Sequence, residues 1–296
     1  MEHTQPTRPL DVLQPIRVNP ISLHKNNRSK RSPRMLLFML LIVLIYLFAP
    51  FRTNILLLGT DDSPGRGSLG RTDSILLTTI VPFKPYIGIL SIPRDLWVFI
   101  PGVGEQRINT AYFFAEAENA GSGTKAAMET IKANFNVNVA YYMLIRMTGL
   151  VESIDALGGV DIRLETFMGG YEPGVHHLDG ADALAFVRER ATGSDFARMQ
   201  RGQILLTAIL DKLFNLSNLP QLPSFALSLT RVIDTNIPMW QWPRLIVALL
   251  RAFLIGLDSR TITPDMVIPF QTSGGAQVLA PKWEEINPVI VDMFGR

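Results

Sequence analysis

The stretch NILLLGTDDSPGRGSLGRTDSILLTTI, residues 54–80, places two apolar runs on either side of a glycine-rich loop. The first run, Ile55–Leu58, has no polar member, which is typical of a strand buried on both faces of a sheet. Acidic residues lie at both junctions, because Asp61 follows the first run and Asp73 opens the second, two positions after Arg71. The pattern predicts two neighbouring buried strands with charged groups where they reach the sheet edge.

Runs of the same kind continue along the chain and define the fold class. Apolar, β-branched runs predict further strands, at Ser74–Val81, Tyr86–Ile92, Val139–Ile145 and Val160–Leu164. Helical patterns lie between them, at Lys125–Phe135, at Gly149–Leu157 and in LDGADALAFVRER from residue 178, with Asp179 as N-cap. Residues 215–258 are apolar and interrupted by prolines, which predicts packed short helices. We therefore expect an α/β fold, a single domain with a central mixed, mainly buried β-sheet flanked by helices.

Charge is unevenly distributed along the chain. Residues 1–34 hold seven basic and two acidic residues, so this segment has a net charge of +5. The whole chain has a net charge of +2, so the remaining residues sum to −3. The rest of the chain is slightly acidic, which removes the main support for a nucleic-acid-binding function. The chain has no cysteine, and this excludes thiolate metal sites, disulfides and cysteine nucleophiles.

An apolar segment follows the basic one. Met35–Ala49 has 15 residues without a charge, a helix length of about 22 Å against the roughly 30 Å hydrocarbon core of a bilayer. A cleaved signal peptide is one interpretation, but no small-residue cleavage site precedes Arg52. The basic flank favours an uncleaved signal anchor with the N-terminus in the cytoplasm. We expect a cytoplasmic flexible tail at 1–34, a transmembrane signal anchor at 35–51 and an extracytoplasmic domain at 52–296.

Arginines recur at the ends of the predicted elements. They are Arg71, Arg94, Arg107, Arg188, Arg190, Arg198 and Arg201. The planar guanidinium fork matches phosphate oxygens, and several converging forks would bind a diphosphate. For any one of them a solvent-exposed role is the simpler alternative, for example Arg198 paired with Asp195 on its own helix.

The two strand-end carboxylates allow two interpretations. Strand ends of α/β folds border the crevice where ligands bind. Asp61 and Asp73, brought together there, could hold Mg²⁺, which shares phosphate oxygens with its ligand. Alternatively Asp61 only shapes a turn and Asp73 pairs with Arg71. The spacing does not decide between them.

An ordered set of motifs resembles the LytR-CpsA-Psr family of cell-envelope enzymes. The motifs are NILLLGTDD, GRTDSILL, IGILSIPRD, RINTAY, IDALGGVDI, LDGADALAFVRER and SDFARMQRGQ, and the likeness covers roughly residues 54–296. The resemblance implies a phosphotransferase that moves a glycopolymer from a polyprenyl diphosphate carrier to peptidoglycan at the outer face of the membrane. It also implies that Mg²⁺ assists and that the prenyl tail lies in an apolar groove.

The resemblance assigns roles to individual residues. Asp61 and Asp73 would hold the metal, and both are candidates, with Arg94, for catalysis. All the arginines above, Arg94 included, and Gln203 would bind the diphosphate. Two rival functions use the same residues: a polyprenyl diphosphate phosphatase, with water as acceptor, and a non-catalytic lipid-binding or regulatory membrane protein.

The chain departs from the family pattern in two places. Arg107 replaces a common lysine, and Gly202 stands where relatives often have a glutamine that can touch the phosphates. Gly202 falls on an apolar helical stripe, so it would either let another element pack closely or widen the lipid groove.

Overall fold

The computed structural model describes residues 33–48, 51–60, 70–83, 86–189, 195–214 and 232–295. The strands are β1 (Thr53–Thr60), β2 (Thr72–Val81), β3 (Tyr86–Ile92), β4 (Trp97–Ile100), β5 (Gly104–Arg107), β6 (Tyr141–Arg146), β7 (Val160–Leu164), β8 (Gly174–Leu178), β9 (Ile233–Thr235), β10 (Asp258–Thr261), β11 (Val267–Gln271) and β12 (Gln277–Pro281). The α-helices are α1 (Pro33–Phe48), α2 (Thr110–Glu118), α3 (Gly123–Phe135), α4 (Met147–Ala156), α5 (Gly180–Arg188), α6 (Asp195–Phe214), α7 (Trp242–Ile255) and α8 (Trp283–Phe294).

The main sheet has six strands in the order β10–β3–β2–β1–β6–β9. β1 pairs antiparallel with β2 and parallel with β6, while β3 pairs antiparallel with β2 and parallel with β10. The predicted mixed sheet is therefore confirmed. The directions bring the carboxyl ends of β1, β3, β6 and β10 to the same edge as the amino end of β2.

Helices cover both faces of this sheet, as the all-apolar first strand predicts. On one face α3 and α8 pack against Leu56, Leu58 and Leu77. On the other face α7 covers Ile55, Ile80 and Ile89, while α4, α5 and α6 form an adjoining apolar cluster with β7 and β8. Alternate residues of a strand point to opposite faces of the sheet. Leu56 and Leu58 of β1 therefore pack under α3 and α8, while Ile55 packs under α7.

Local capping also follows the sequence. The Asp179 side chain accepts a hydrogen bond of 2.8 Å from the backbone N–H of Asp182, which confirms Asp179 as the N-cap of α5. A carboxylate at this position also complements the positive end of the helix dipole.

The segment predicted as packed short helices differs in part. Residues 215–231 lie outside the described residues. The remainder contains the short strand β9, the 14-residue helix α7 and the start of the edge strand β10. Asp258–Thr261 is polar, so it shows none of the hydrophobic alternation that marks a strand, and only its pairing with β3 defines it.

The chain separates into two compact units, residues 1–42 and 43–296, and all the sheets belong to the second. The apolar helix α1 has 16 residues and runs across this division. Within the described ranges, no helix combines the length and the apolar character needed to cross a membrane.

Candidate active site

The site lies at the sheet edge where β1 and β6 end and β2 begins. Thr60, the last residue of β1, pairs with Thr72 on one side and with Arg146 on the other. Asp73 is the second residue of β2, and Arg94 follows the end of β3 by two positions. Asp73 and Arg94 thus converge because β2 and β3 are antiparallel, so the start of β2 lies beside the end of β3.

Asp73 is the centre of a charged cluster. Its Oδ1 lies 2.8 Å from Nη1 of Arg94 and 3.3 Å from Nη2 of Arg198. The same Nη2 of Arg198 donates to the backbone carbonyl of Asp73 at 3.1 Å. Two of the predicted arginines therefore meet the predicted carboxylate, while Arg71, the partner that the simpler interpretation gave to Asp73, stacks elsewhere.

The cluster continues through Asp95. Its two carboxylate oxygens each lie 3.4 Å from a guanidinium Nε, one of Arg94 and one of Arg107. Arg107 also donates to the backbone carbonyl of Gln277 at 3.0 Å. These side chains are about one quarter exposed, so water and a ligand can reach a continuous line of charge. Asp95 was not predicted, although it follows Arg94 directly.

Arg71 lies two positions before Asp73, and Arg188 directly follows Val187, which lines the cavity described below. Arg71 precedes β2 and places its guanidinium carbon 5.7 Å from the ring centroid of Phe113. Arg188 is the last residue of α5. Both side chains are exposed. Asp61 and Arg190, predicted for the metal and the diphosphate, lie outside the described residues.

Arg201 and Gln203 occupy different environments from the one predicted. Arg201 is only 1% exposed; its guanidinium donates to the carbonyl of Glu189 and lies 3.6 Å from the Glu189 carboxylate. Burial lowers the pKa of Arg201, and Glu189 opposes that shift. Gln203 donates to Ser91 Oγ at 2.8 Å and to the carbonyl of Arg260 at 2.9 Å. The structure thus engages both side chains in contacts within the protein, Arg201 with Glu189 and Gln203 with Ser91 and Arg260.

A cavity of about 200 Å³ opens beside this cluster. Asp73 and Arg198 line it, and its walls extend inward along β2 as far as Leu76 and along α6 as far as Ile209. The twelve residues of α6 from Arg198 to Ile209 span about 16 Å. Away from its charged mouth the lining is mainly apolar, from β1, β2, β6, α4, α5 and α6.

Gly202 lies in the cavity wall on α6. A Cβ atom built on it would meet nothing within 4 Å. Of the two roles considered for this glycine, close packing against another element is wrong, and widening of the cavity is the one that the geometry matches. The apolar stripe of α6 faces the same space, through Met199, Leu206 and Ile209.

The oxygen donors available to a metal are few in the described residues, where no cluster of three or more histidine, aspartate or glutamate side chains occurs. The contacts of Asp73 with Arg94 and Arg198 use Oδ1 and the backbone carbonyl. The amide oxygen of Asn109 is buried without a hydrogen-bond partner, and the Asn109 backbone bonds to Arg94 and Thr72. A carboxylate and an amide oxygen of this kind suit Mg²⁺ in type.

The LytR_cpsA_psr family description matches residues 50–262, and the chain belongs to this family. It is 35% identical over 192 residues to the "Polyisoprenyl-teichoic acid--peptidoglycan teichoic acid transferase TagU" of Oceanobacillus iheyensis, covering 63% of this chain and 59% of that protein. It is 32% identical over 195 residues to the "Regulatory protein MsrR" of Staphylococcus aureus, covering 63% and 57%. The chain thus spans less than two thirds of the length of these relatives.

Solved structures share the fold. B. subtilis TagT, bound to LIIa-WTA, superposes with a TM-score of 0.65 and 24% identity, over 83% of this chain and 91% of that one. At this identity the likeness shows the fold alone, and it agrees with the predicted α/β architecture.

Proposed function

We propose that this chain transfers a glycopolymer from a polyprenyl diphosphate carrier to peptidoglycan at the outer face of a membrane. The observation that carries this proposal is the cavity, which is apolar along α6 and ends at Asp73 and Arg198. A ligand that matches it has a long hydrocarbon tail and an anionic head. The name of the O. iheyensis relative, a polyisoprenyl-teichoic acid transferase, supports a ligand of this class.

The apolar part of the cavity would hold the prenyl tail. Each methylene group removed from water contributes about 0.8 kcal/mol, so several isoprene units between β2 and α6 would supply much of the affinity. Gly202 widens this part of the cavity. The charged end would then fix how far the lipid enters.

Arginines of the cluster would bind the diphosphate. Arg94 and Arg198 already converge on one carboxylate oxygen, so a phosphate group at the same place would meet both guanidinium groups without a large rearrangement. Arg107 extends the positive charge through Asp95, and Arg71 and Arg188 would contact the part of the substrate that projects into water. Preorganised guanidinium groups stabilise the charge that develops on the transferring and departing phosphates.

Arg201 and Gln203 would act by positioning other residues. Arg201 holds Glu189, which directly follows Arg188 and precedes Arg190. Gln203 ties α6 to β3 and β10 through Ser91 and Arg260. We propose that these contacts fix the two arginines around Glu189 and the orientation of α6.

In the proposed reaction a peptidoglycan sugar hydroxyl attacks the phosphorus that carries the glycopolymer. The new P–O bond forms as the bond to the bridging diphosphate oxygen breaks, and polyprenyl phosphate leaves. Asp73 or Asp61 would accept the hydroxyl proton. Mg²⁺, held by Asp73 and by Asp61 as proposed from the sequence, would neutralise phosphate charge when bound.

Location follows from the same proposal. The basic residues 1–34 would remain in the cytoplasm, residues 35–51 would anchor the chain, and the domain from residue 52 would face outward. β1 then starts close to the membrane and runs for eight residues toward the charged cluster.

The full chain, purified in detergent, is tested with a polyprenyl diphosphate-linked glycopolymer and peptidoglycan fragments. The proposal predicts polymer attached to peptidoglycan and release of polyprenyl phosphate in equal amounts. Polymer phosphate released only into water would instead identify a diphosphatase. Lipid binding without any turnover would support a regulatory role like the one that the MsrR name states.

A further inference from the structure

The helix α7 has an apolar face that no other part of the described chain covers. Its inner face packs on the sheet, with Leu245 and Ala248 buried against Ile55 and Ile89. Its outer face is formed by four apolar residues at helical spacing, Pro243, Ile246, Val247 and Leu250. Ile246 and Leu250 are 48% and 46% exposed. A water-facing helix surface normally carries charged residues at such positions.

The outer face of α7 carries no charge because this part of the chain has few charged residues and its two arginines contact backbone carbonyls. Residues 235–257 contain no acidic residue and only two basic ones, Arg244 and Arg251. Arg244 is buried and donates to the carbonyl of Phe51, and Arg251 donates to the carbonyl of Pro82 at 2.6 Å. Both guanidinium groups are hydrogen-bonded to backbone carbonyls of neighbouring segments, so the outer face of α7 carries only apolar side chains.

Exposed apolar side chains surround α7. Trp240 and Met239, in the turn before the helix, are 60% and 86% exposed. Phe51 and Phe83, next to the two arginine contacts, are 70% and 62% exposed. Aromatic side chains are enriched where proteins meet the interfacial region of a bilayer.

The course of the chain indicates what covers this surface. The last residues of α1 reach α7, since Tyr46 lies 6.4 Å from Trp240 between ring centroids and the Arg251 guanidinium lies 4.8 Å from the Phe48 ring centroid. If α1 anchors the chain, α7 lies beside the point where the chain leaves the bilayer. A second copy of the chain could also cover the apolar face, but it would not explain why α7 lies next to the end of α1.

We infer that the outer face of α7 lies on the bilayer surface, with Ile246 and Leu250 in the interfacial region and Trp240 beside them. The inference rests on the membrane location in the proposed function. It adds a second contact that fixes the orientation of the domain: because the inner face of α7 packs on the sheet, the plane of the sheet would run roughly along the bilayer surface. β1, which starts at Thr53 near α7, would place the Asp73 edge about 26 Å to the side of that start, along the membrane surface.

The absence of native cysteine makes single-site labelling clean. Ile246→Cys and Leu250→Cys are spin-labelled in the full chain and reconstituted in vesicles of phosphatidylethanolamine and phosphatidylglycerol. Val291→Cys, 46% exposed on α8 at the opposite face of the sheet, is the matched control. Leu41→Cys, in α1, reports on the anchor separately.

Collision rates with oxygen and with a water-soluble nickel chelate give the depth of each label. We expect labels at 246 and 250 to lie about 5–10 Å below the level of the headgroups, and the label at 291 to be in water. Labels at 246 and 250 in water, with 41 in hydrocarbon, would overturn this inference and leave the anchor intact. Labels shielded from both reagents would also overturn it, because protein would then cover the face. A label at 41 in water would contradict the membrane location itself.

Discussion

Arg198 and Asp73 are joined twice, because one guanidinium nitrogen lies 3.3 Å from the Asp73 carboxylate and donates to the Asp73 backbone carbonyl at 3.1 Å. This contact ties α6 to β2 across 125 positions of sequence. It also fixes the charged end of the cavity, since both residues line it.

Arg198→Lys should therefore lower transfer strongly while leaving the fold intact. A lysine keeps the charge but offers no planar fork to bridge Asp73 and a phosphate. Loss of one preorganised donor costs about 3 kcal/mol of transition-state stabilisation, roughly a hundredfold in rate. Steady-state transfer assays measure this, with Lys212→Arg on the same helix as the control. A rate within threefold of the parent chain would remove Arg198 from the catalytic site.

Asp73→Asn should separate binding from turnover. The change removes a negative charge beside Arg94 and Arg198, so in buffer without divalent cations an anionic head should bind more tightly, by about 1 kcal/mol or roughly fivefold in Kd. Transfer should fall, because the proposed proton acceptor and metal ligand is gone. Titration with a short-chain prenyl diphosphate, followed by the transfer assay, measures both. Unchanged transfer would refute the role given to Asp73.

Arg201→Met should act on stability. The buried guanidinium pairs with Glu189, and its removal takes this contact away from the Glu189 carboxylate. Breaking such a pair costs about 3 kcal/mol of unfolding free energy. Urea denaturation measures the loss, and Arg201→Met combined with Glu189→Gln should recover part of it. A loss below about 0.5 kcal/mol for the single change would contradict the positioning role.

The sequence predicts much of this site, and the helix geometry of α6 explains what it does not predict. Arg198 and Gly202 are four residues apart and share the face that lines the cavity. Arg201 and Gln203 fall on opposite flanks of that face, one toward Glu189 and the other toward Ser91. A motif gives the order of these residues, but only the packing of α6 between α5 and the sheet shows which flank each one meets.

The fold shows the same division between local and tertiary signals. β1 and the Asp179 cap are visible in the sequence because each depends on its own residues and near neighbours. β10 is not visible, since its polar residues become a strand only through pairing with β3. Pairing of this kind depends on the assembled sheet, so no window of sequence predicts it.

Gly202 gives opposite predictions for stability and for ligand binding. Gly202→Ala should raise the unfolding free energy by about 0.5–1 kcal/mol, because a helical glycine is replaced in open space. Gly202→Leu should weaken binding of a long prenyl diphosphate while a short-chain analogue binds as before. Thr207→Leu, at an exposed position of α6, is the control. Equal binding of the long chain by the leucine variant and the control would show that this part of the cavity holds no tail.

Photo-crosslinking tests the central claim most directly. A prenyl diphosphate with a diazirine at the far end of its tail is bound to the full chain, irradiated and mapped by mass spectrometry. The proposed function predicts labels on the cavity side of α6 and β2, at Leu205, Leu206, Ile209 and Leu76, and loss of these labels in the Gly202→Leu variant. Labels confined to residues outside the cavity, unchanged by that substitution, would contradict the account.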